Sequence, residues 1–436
     1  MSGPAVPAGH RRVVVTGVGV VSPLGDSPAA LHAALCRGER ALGLPDDPTL
    51  AELGRPRAGT LVGRITGFDP AAYVGQGNFR PLDRTGRLAV AAVELALAAA
   101  GWGGEERREA DLGLVLGTMF GSVRTIAEFD RRALTAGPNY VKPFDFANSV
   151  INAAAGQAAI WHGLRGVNAT LAGGTGAGVQ ALGYAADLVA AGQVDAVAAG
   201  GADELCLESF LGFGRSGLLC STNGHGPARP IPFDARRNGF APAEGAALLV
   251  FEPADSAERR GAPALAEVLG HGAAFDPARG RDAASAAAAV ARAVRSALAA
   301  AGVDPDDVAC ASVSASGSMA LDRSEAEGLA RALGPRAAEL PVTAVKSGVG
   351  EALGASGALQ AAVLLEALRT GELPGVAGLE AVEPGLPLGG IRPGSARFTG
   401  RIGLVTALDR HGGAHALVLA ALPAVPGARP PAAGAP

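Results

Sequence analysis

The chain has 436 residues, 37 Lys and Arg against 41 Asp and Glu, a formal net charge of -4, seven histidines and four cysteines. That length is enough for one large domain or two ordinary ones with a substantial core. With 48% hydrophobic and 18% charged residues, a disordered chain, a collagen or a disulfide scaffold is excluded. The near-neutral balance gives no electrostatic ground for nucleic acid or an anionic membrane as partner, so small molecules or proteins are expected instead.

Aromatic residues make up 4% of the chain and glycines number 64, so small aliphatic side chains must fill the interior at close range. Cys36, Cys206, Cys220 and Cys310 lie far apart, without CxxC or Cys/His spacing. No zinc site, no disulfide framework and no cofactor is expected, and a reducing cytoplasm fits. Met1 to Arg12 lack an apolar signal core. The apolar stretches 88–101 and 283–301 are alanine-rich and interrupted by Glu or Arg, so neither a signal peptide nor a membrane span is expected.

In chain order, the β-branched run Arg12 to Val18 leads through Gly-Val-Gly and Ser-Pro-Leu-Gly to a helical pattern at Ala29 to Arg37. This reads as strand, turn, helix. The grammar recurs at Leu112 to Leu116 before a helix from Ser122, and at Asn168 to Ala172 before Val179 to Ala191. Ala196 to Ala199 is a further strand. The second half offers Leu265 to Leu269, a helix from Asp282 to Ala301, Cys310 to Val313, a helix over Ser324 to Leu333, Val342 to Val345, a helix over Ala358 to Arg369, and strands at Ile402 to Ala407 and Ala416 to Ala421. Strands alternating with helices predict a parallel-rich α/β sheet covered on both faces, and the shared order predicts an internal duplication. The expected units are 12–258 and 259–422, followed by a fraying Pro/Ala/Gly tail, 423–436.

Glycines after strands suggest a dinucleotide site first. At Gly17-Val18-Gly19 the third glycine of the fingerprint would be Ser22, and no acidic residue follows at the required distance. Gly174-Thr175-Gly176-Ala177-Gly178, with Asp195 about twenty residues on, is a weak candidate. Tight strand-to-helix packing with Thr175 as a helix cap accounts for it equally well.

Five segments in register carry a stronger signal: RVVVTGVGVVSPLG at the N-terminus, GFDPAAY at 67–73, PFDARRNGFAPAEGAALLVFE at 232–252, KSGVGEALGASG at 346–357 and GGAHA at 412–416. Together they resemble the β-ketoacyl synthase family over about residues 12 to 422. The resemblance implies an α/β thiolase fold, two duplicated βαβ-rich halves with mixed five-stranded sheets in five α-β-α-β-α layers, working as a dimer. It also implies a Claisen condensation at a cysteine on a strand-to-helix elbow, helped by two histidines.

Carried over residue by residue, all three catalytic positions differ from that pattern. The elbow reads Gly173-Gly174-Thr175-Gly176, which puts Thr175 in the nucleophile's place. The first histidine belongs to A-H-G and here meets Ala315-Ser316-Gly317. Ser316 takes its place, in a register that a shortened loop before Asp322 and Glu325 leaves open by two residues, yet no histidine lies between His271 and His411. The second, in K-S-x-x-G-H, becomes Glu351, with Lys346 retained. Glu351 also suits a buried ion pair with Lys346 or with Arg236-Arg237. The loop that carries a gating phenylalanine reads Asp409-Arg410-His411-Gly412-Gly413-Ala414-His415, and His411 and His415 suit local hydrogen bonding.

The resemblance thus implies a subunit without independent condensing activity, close to the chain-length factor (ketosynthase β subunit) of type II polyketide synthases. Such a subunit pairs with a catalytic ketosynthase α subunit and receives chains on an acyl carrier protein. Thr175 departs from the glutamine usual in that sub-family, which points towards highly reducing, polyene-forming systems. Met119, Phe120, Val123 and Ala127 resemble the start of an interface helix, and Phe120, Val123 and Ala127 fall at i, i+3 and i+7 on one helical face. By resemblance this face lines the acyl tunnel, with Phe120 as its obstruction; the same stripe also reads as ordinary core. On this reading Phe120→Ala lengthens the product and Ala127→Phe shortens it. Arg80, Arg84 and Arg87 form a candidate carrier-protein patch or a solvated helix face. Two alternatives stay open, an active condensing or thiolase-like acyltransferase rebuilt from Thr175, Ser316 and Glu351, and a purely structural scaffold subunit.

Overall fold

A computed structural model describes residues 11–45, 59–222 and 227–422; the tail 423–436 and residues 1–10 lie outside them. The first β-branched run forms β1 (Val13–Val21), and every one of its residues is buried. The expected turn at Gly17-Val18-Gly19 is absent, and the strand continues through both glycines to a reversal at Ser22–Gly25. These glycines serve packing: a Cβ at Gly19 would lie 2.1 Å from the carbonyl oxygen of Ala92 on the helix crossing the strand.

The other strands that the first half contributes to the main sheet are β2 (Leu112–Gly117), β3 (Asn168–Leu171), β4 (Ala196–Asp203) and β5 (Gly245–Pro253). Those of the second are β6 (Ala266–Phe275), β7 (Val308–Ser312), β8 (Pro341–Thr343), β9 (Ile402–Leu408) and β10 (Gly413–Ala421). The first five run in the spatial order β3-β2-β4-β5-β1 and the second five in the order β8-β7-β9-β10-β6. In each half the pairings run parallel, parallel, antiparallel, antiparallel along that order. The duplication expected from the sequence is therefore present as topology, while the sheet is mixed rather than parallel-rich. Val13–Val15 pair with Ala266–Val268, and with a two-residue edge strand at Gly390–Ile391 the halves share one eleven-stranded sheet.

The principal helices are α1 (Arg84–Ala99), α2 (Val123–Ala136), α3 (Ala153–His162), α4 (Ala177–Ala190), α5 (Leu207–Arg215), α6 (Ala283–Ala301), α7 (Met319–Leu333) and α8 (Ser356–Thr370). Helix α7 starts five residues before the expected Ser324, because Ser318 caps it by accepting from the Leu321 N–H. Three cores define the layers. Helices α4 and α8 pack between the two halves of the sheet, α1 and α3 cover the outer face of the first, and α6 and α7 cover the outer face of the second. This is the five-layered, thiolase-like α/β fold. It sets the N-terminus of α4, the start of α8 and the loops after β7 and β9 around one point.

Candidate functional site

The elbow is built where β3 ends and α4 begins. Gly174 takes φ +66, and a Cβ there would lie 2.1 Å from Asp409 Oδ2, so only glycine fits. Thr175 follows in a short turn before α4. Its backbone N–H donates to Asp409 Oδ2 at 2.8 Å and its hydroxyl donates to the same oxygen at 3.1 Å. Asp409 directly follows β9 and is 2% exposed; its other oxygen accepts from the His411 N–H at 2.6 Å and lies 3.0 Å from His411 Nδ1. A negative group at a helix N-terminus is favourable. The carboxylate thus takes the place that a pyrophosphate would need at Gly174 to Gly178, which speaks against a dinucleotide there.

Ser316 lies in the loop between β7 and α7, where its N–H donates to Asp322 Oδ1 at 2.9 Å. Asp322 also receives the N–H groups of Gly317 and Phe233 and sits 3.3 Å from Arg237, which is buried with it. Two positions earlier, Ser314 donates its hydroxyl and its N–H to Glu325 Oε1 at 2.9 Å each, and Thr406 donates to the same oxygen at 2.7 Å. Burial raises the Glu325 carboxyl above its ordinary range, and its Oε2 has no hydrogen-bond partner among the described residues.

Glu351 forms the buried ion pair that the sequence allowed, with Lys346 Nζ 2.6 Å from its Oε2. The Arg236-Arg237 option is not taken. Its Oε1 accepts from the Leu353 N–H at 3.1 Å and the Ser356 hydroxyl at 2.7 Å, so both oxygens are committed inside the protein. Leu353 is held at φ 54, a backbone strain stabilised in part by that bond.

Thr175, Ser314, Ser316, Glu325 and Glu351 line one cavity of about 330 Å³, together with Phe120, Val123, Phe213 and Phe240. No cysteine lines it. A neighbouring cavity of about 620 Å³ is lined by Gln180, Phe275 and His415. Met119, Phe120, Asp409 and His411 line both cavities and so stand between them.

The expected helical stripe needs correction. Helix α2 begins only at Val123, and Phe120 sits in the preceding loop, where Gly121 takes φ +56. That loop is held by Asp203, which accepts from the Thr118 hydroxyl at 2.6 Å, the Met119 N–H at 2.7 Å and, from the start of the α8 region, the Gly354 N–H at 2.8 Å. Burial pushes the Asp203 carboxyl up to about 6 against these bonds. Phe120 packs on Phe213, ring centroids 5.7 Å apart. Ala127, one turn further along α2, lines neither cavity within this chain.

The arginine patch is also corrected. Arg84 makes a two-pronged ion pair with the buried Glu244, at 2.6 and 2.7 Å, and Arg87 donates to the carbonyl oxygens of Leu82 and Phe79. Arg80 alone of the three is exposed.

His411 behaves as the loop hydrogen-bonder expected. His415 instead makes no side-chain hydrogen bond among the described residues and packs against the elbow, 3.0 Å from a Cβ placed on Gly176. Burial lowers its imidazole to about 4 from the ordinary 6.5. The unfolded chain then takes up the proton first, so this stability is complete above pH 6.5 and is lost as pH falls towards 4. Comparing His415→Asn with wild type in denaturant series from pH 7 to 4, the wild type should lose up to about 3 kcal/mol that the variant does not.

Among the described residues, no helix is long and apolar enough to cross a membrane, and no group of three or more His, Cys, Asp or Glu side chains is placed to hold a metal ion.

Residues 10–257 match the Beta-ketoacyl synthase, N-terminal domain, and residues 265–380 the Beta-ketoacyl synthase, C-terminal domain. The chain therefore belongs to the β-ketoacyl synthase family. It is 35% identical over 385 residues to the tetracenomycin polyketide synthase ketoacyl synthase beta subunit of Streptomyces glaucescens, covering 86% of this chain and 90% of that protein. It is 30% identical over 379 residues to the 3-oxoacyl-[acyl-carrier-protein] synthase 2 of Vibrio cholerae serotype O1 (strain ATCC 39315 / El Tor Inaba N16961), covering 86% and 90%. A solved structure described as the ishigamide ketosynthase/chain length factor superposes with a TM-score of 0.84 at 28% identity, covering 95% of this chain and 100% of that one.

Proposed function

We propose that this chain is a chain-length factor of a type II polyketide synthase, a ketosynthase-like subunit that does not condense acyl groups itself. One observation carries the reading. In the cavity where Thr175, Ser316 and Glu351 meet, no thiol is present, and the hydroxyl and carboxylate that could replace one are hydrogen-bonded within the protein to Asp409 and Lys346. A rebuilt Thr/Ser/Glu enzyme would need Glu351 as base, and its pairing with an ammonium opposes that use. The likeness to a ketoacyl synthase beta subunit and to a ketosynthase/chain length factor structure supports the same reading.

The partner is a catalytic ketosynthase α subunit. Segment 134–160 exposes Leu134, Tyr140, Phe144, Phe146, Val150, Ile151 and Ile160, more apolar surface than isolated surface residues explain. Directly after it, β3 ends the sheet with one edge unpaired, open to a strand from another chain. Chains would arrive on an acyl carrier protein in the cytoplasm. Thr175 in place of glutamine favours a highly reducing, polyene-forming pathway.

Co-expression with a cysteine-bearing ketosynthase tests the pairing. The two chains should co-elute one to one, and separate elution contradicts the proposal. Phe120 stands between the two cavities, so Phe120→Ala in the reconstituted pair should lengthen the product by at least one two-carbon unit by mass spectrometry. An unchanged length would leave only the scaffold role.

A further inference from the structure

Two backbone N–H groups from distant parts of the chain converge on one carboxylate beside the elbow. The Thr175 N–H comes from the turn before α4 and reaches Asp409 Oδ2 at 2.8 Å; the His411 N–H comes from the loop after β9 and reaches Asp409 Oδ1 at 2.6 Å. Backbone N–H groups brought together beside a strand-to-helix elbow are the kind of donors that hold the developing oxyanion in acyl transfer, about 2.7–3.1 Å from that oxygen in general. Here each of the two is already taken by one oxygen of a carboxylate supplied by the chain itself.

The carboxylate is firmly placed. The Thr175 hydroxyl also donates to Oδ2 at 3.1 Å, and His411 Nδ1 lies 3.0 Å from Oδ1. The loop carrying Asp409 is closed on itself, since the Asp409 N–H donates to the Gly413 carbonyl at 2.7 Å and the Gly412 N–H to the Asp409 carbonyl at 3.0 Å. Gly174 leaves room for the carboxylate and for no Cβ of its own.

We propose that Asp409 is a built-in occupant of this N–H pair, which shuts a thioester carbonyl out of the elbow. A carbonyl oxygen can be polarised there only by displacing an anion that is hydrogen-bonded at both oxygens. The incoming group would also meet negative charge where its own negative charge must develop. The proposal rests on the reading of this chain as a non-condensing subunit and adds to it that acyl chemistry is blocked at the electrophile as well as at the nucleophile. Restoring a cysteine at the elbow is then not enough.

The test uses the full chain alone, so its outcome does not depend on the pairing with a ketosynthase. Thr175→Cys and Thr175→Cys/Asp409→Ala are each treated with butyryl-N-acetylcysteamine and, in parallel, with iodoacetamide, and the elbow peptide is followed by mass spectrometry. In the first reaction the introduced thiolate attacks the acyl carbon, the donor's acyl–sulfur bond breaks, and the departing thiolate takes a proton from water. Alkylation needs thiolate and no oxyanion stabilisation, so it reports the effect of Asp409 on the thiol alone. Removing Asp409 should raise the ratio of acylation to alkylation rate at least tenfold. Equal changes in both rates, or acylation of Thr175→Cys as fast as that of the double variant, would overturn the proposal. If the double variant loses its fold by circular dichroism, Thr175→Cys/Asp409→Asn serves instead. It keeps the shape but sets an amide against one N–H, and its ratio must still rise; an unchanged ratio overturns the proposal equally.

Discussion

Glu351→Ala is expected to lower folding stability by about 3–5 kcal/mol, read as a fall in the denaturation midpoint. The size follows from what remains. Lys346 is 3% exposed on its side chain and Glu351 supplies its ion pair at 2.6 Å, so the variant leaves a buried ammonium without its anion. The Leu353 N–H and the Ser356 hydroxyl lose their acceptor at the same time. The double variant Lys346→Met/Glu351→Leu should lose less than Glu351→Ala, because it leaves no unpaired cation. Recovery stops short of wild type, since Glu325 also feels Lys346 as an attractive charge. Losses that simply add in the double variant would mean the pair is not a pair.

Glu204→Gln should stabilise the protein at high pH and leave it unchanged in acid. Glu204 follows β4 and is 3% exposed, and neither of its oxygens has a hydrogen-bond partner among the described residues. Burial, and secondarily the Asp83 carboxylate, push it up to about 8 from the ordinary 4.5, against the attraction of Arg124. The folded chain therefore holds this proton more tightly than the unfolded one. Its contribution is largest below pH 4.5 and is lost as pH rises to 8. A permanently neutral glutamine is spared that loss, so the variant should exceed wild type by about 3–5 kcal/mol at pH 9 and by almost nothing at pH 4.5. A difference independent of pH would show that the carboxylate finds a partner or water.

Much of the fold was legible in the sequence because strands here are short apolar runs closed by glycine, and the same order appears twice. That Thr175, Ser316 and Glu351 come together was legible through the resemblance, whose motifs place Thr175 and Glu351 by spacing and Ser316 to within two residues; the structure brings all three to one cavity. What escaped depends on partners far away in sequence. Arg84 looks solvated until Glu244 is brought beneath it, 160 positions on. Phe120 looks helical by its spacing from Val123, but the carboxylate of Asp203 holds its loop out of the helix. Asp409 was visible only as a charge beside His411. Its role comes from a hydrogen bond to a residue 234 positions earlier, which no local pattern encodes. Ser314 and Glu325 were hidden in the same way, since Glu325 gains its place through Thr406 on β9.

On the function proposed above, this chain keeps the fold of the β-ketoacyl synthase family without taking up acyl groups itself. Intact-mass measurement of the wild-type chain alone, incubated with malonyl- and acyl-loaded carrier protein, tests it most directly. The expected result is an unchanged protein mass and no condensed product. An acyl adduct on Thr175 accompanied by a β-ketoacyl product would contradict it.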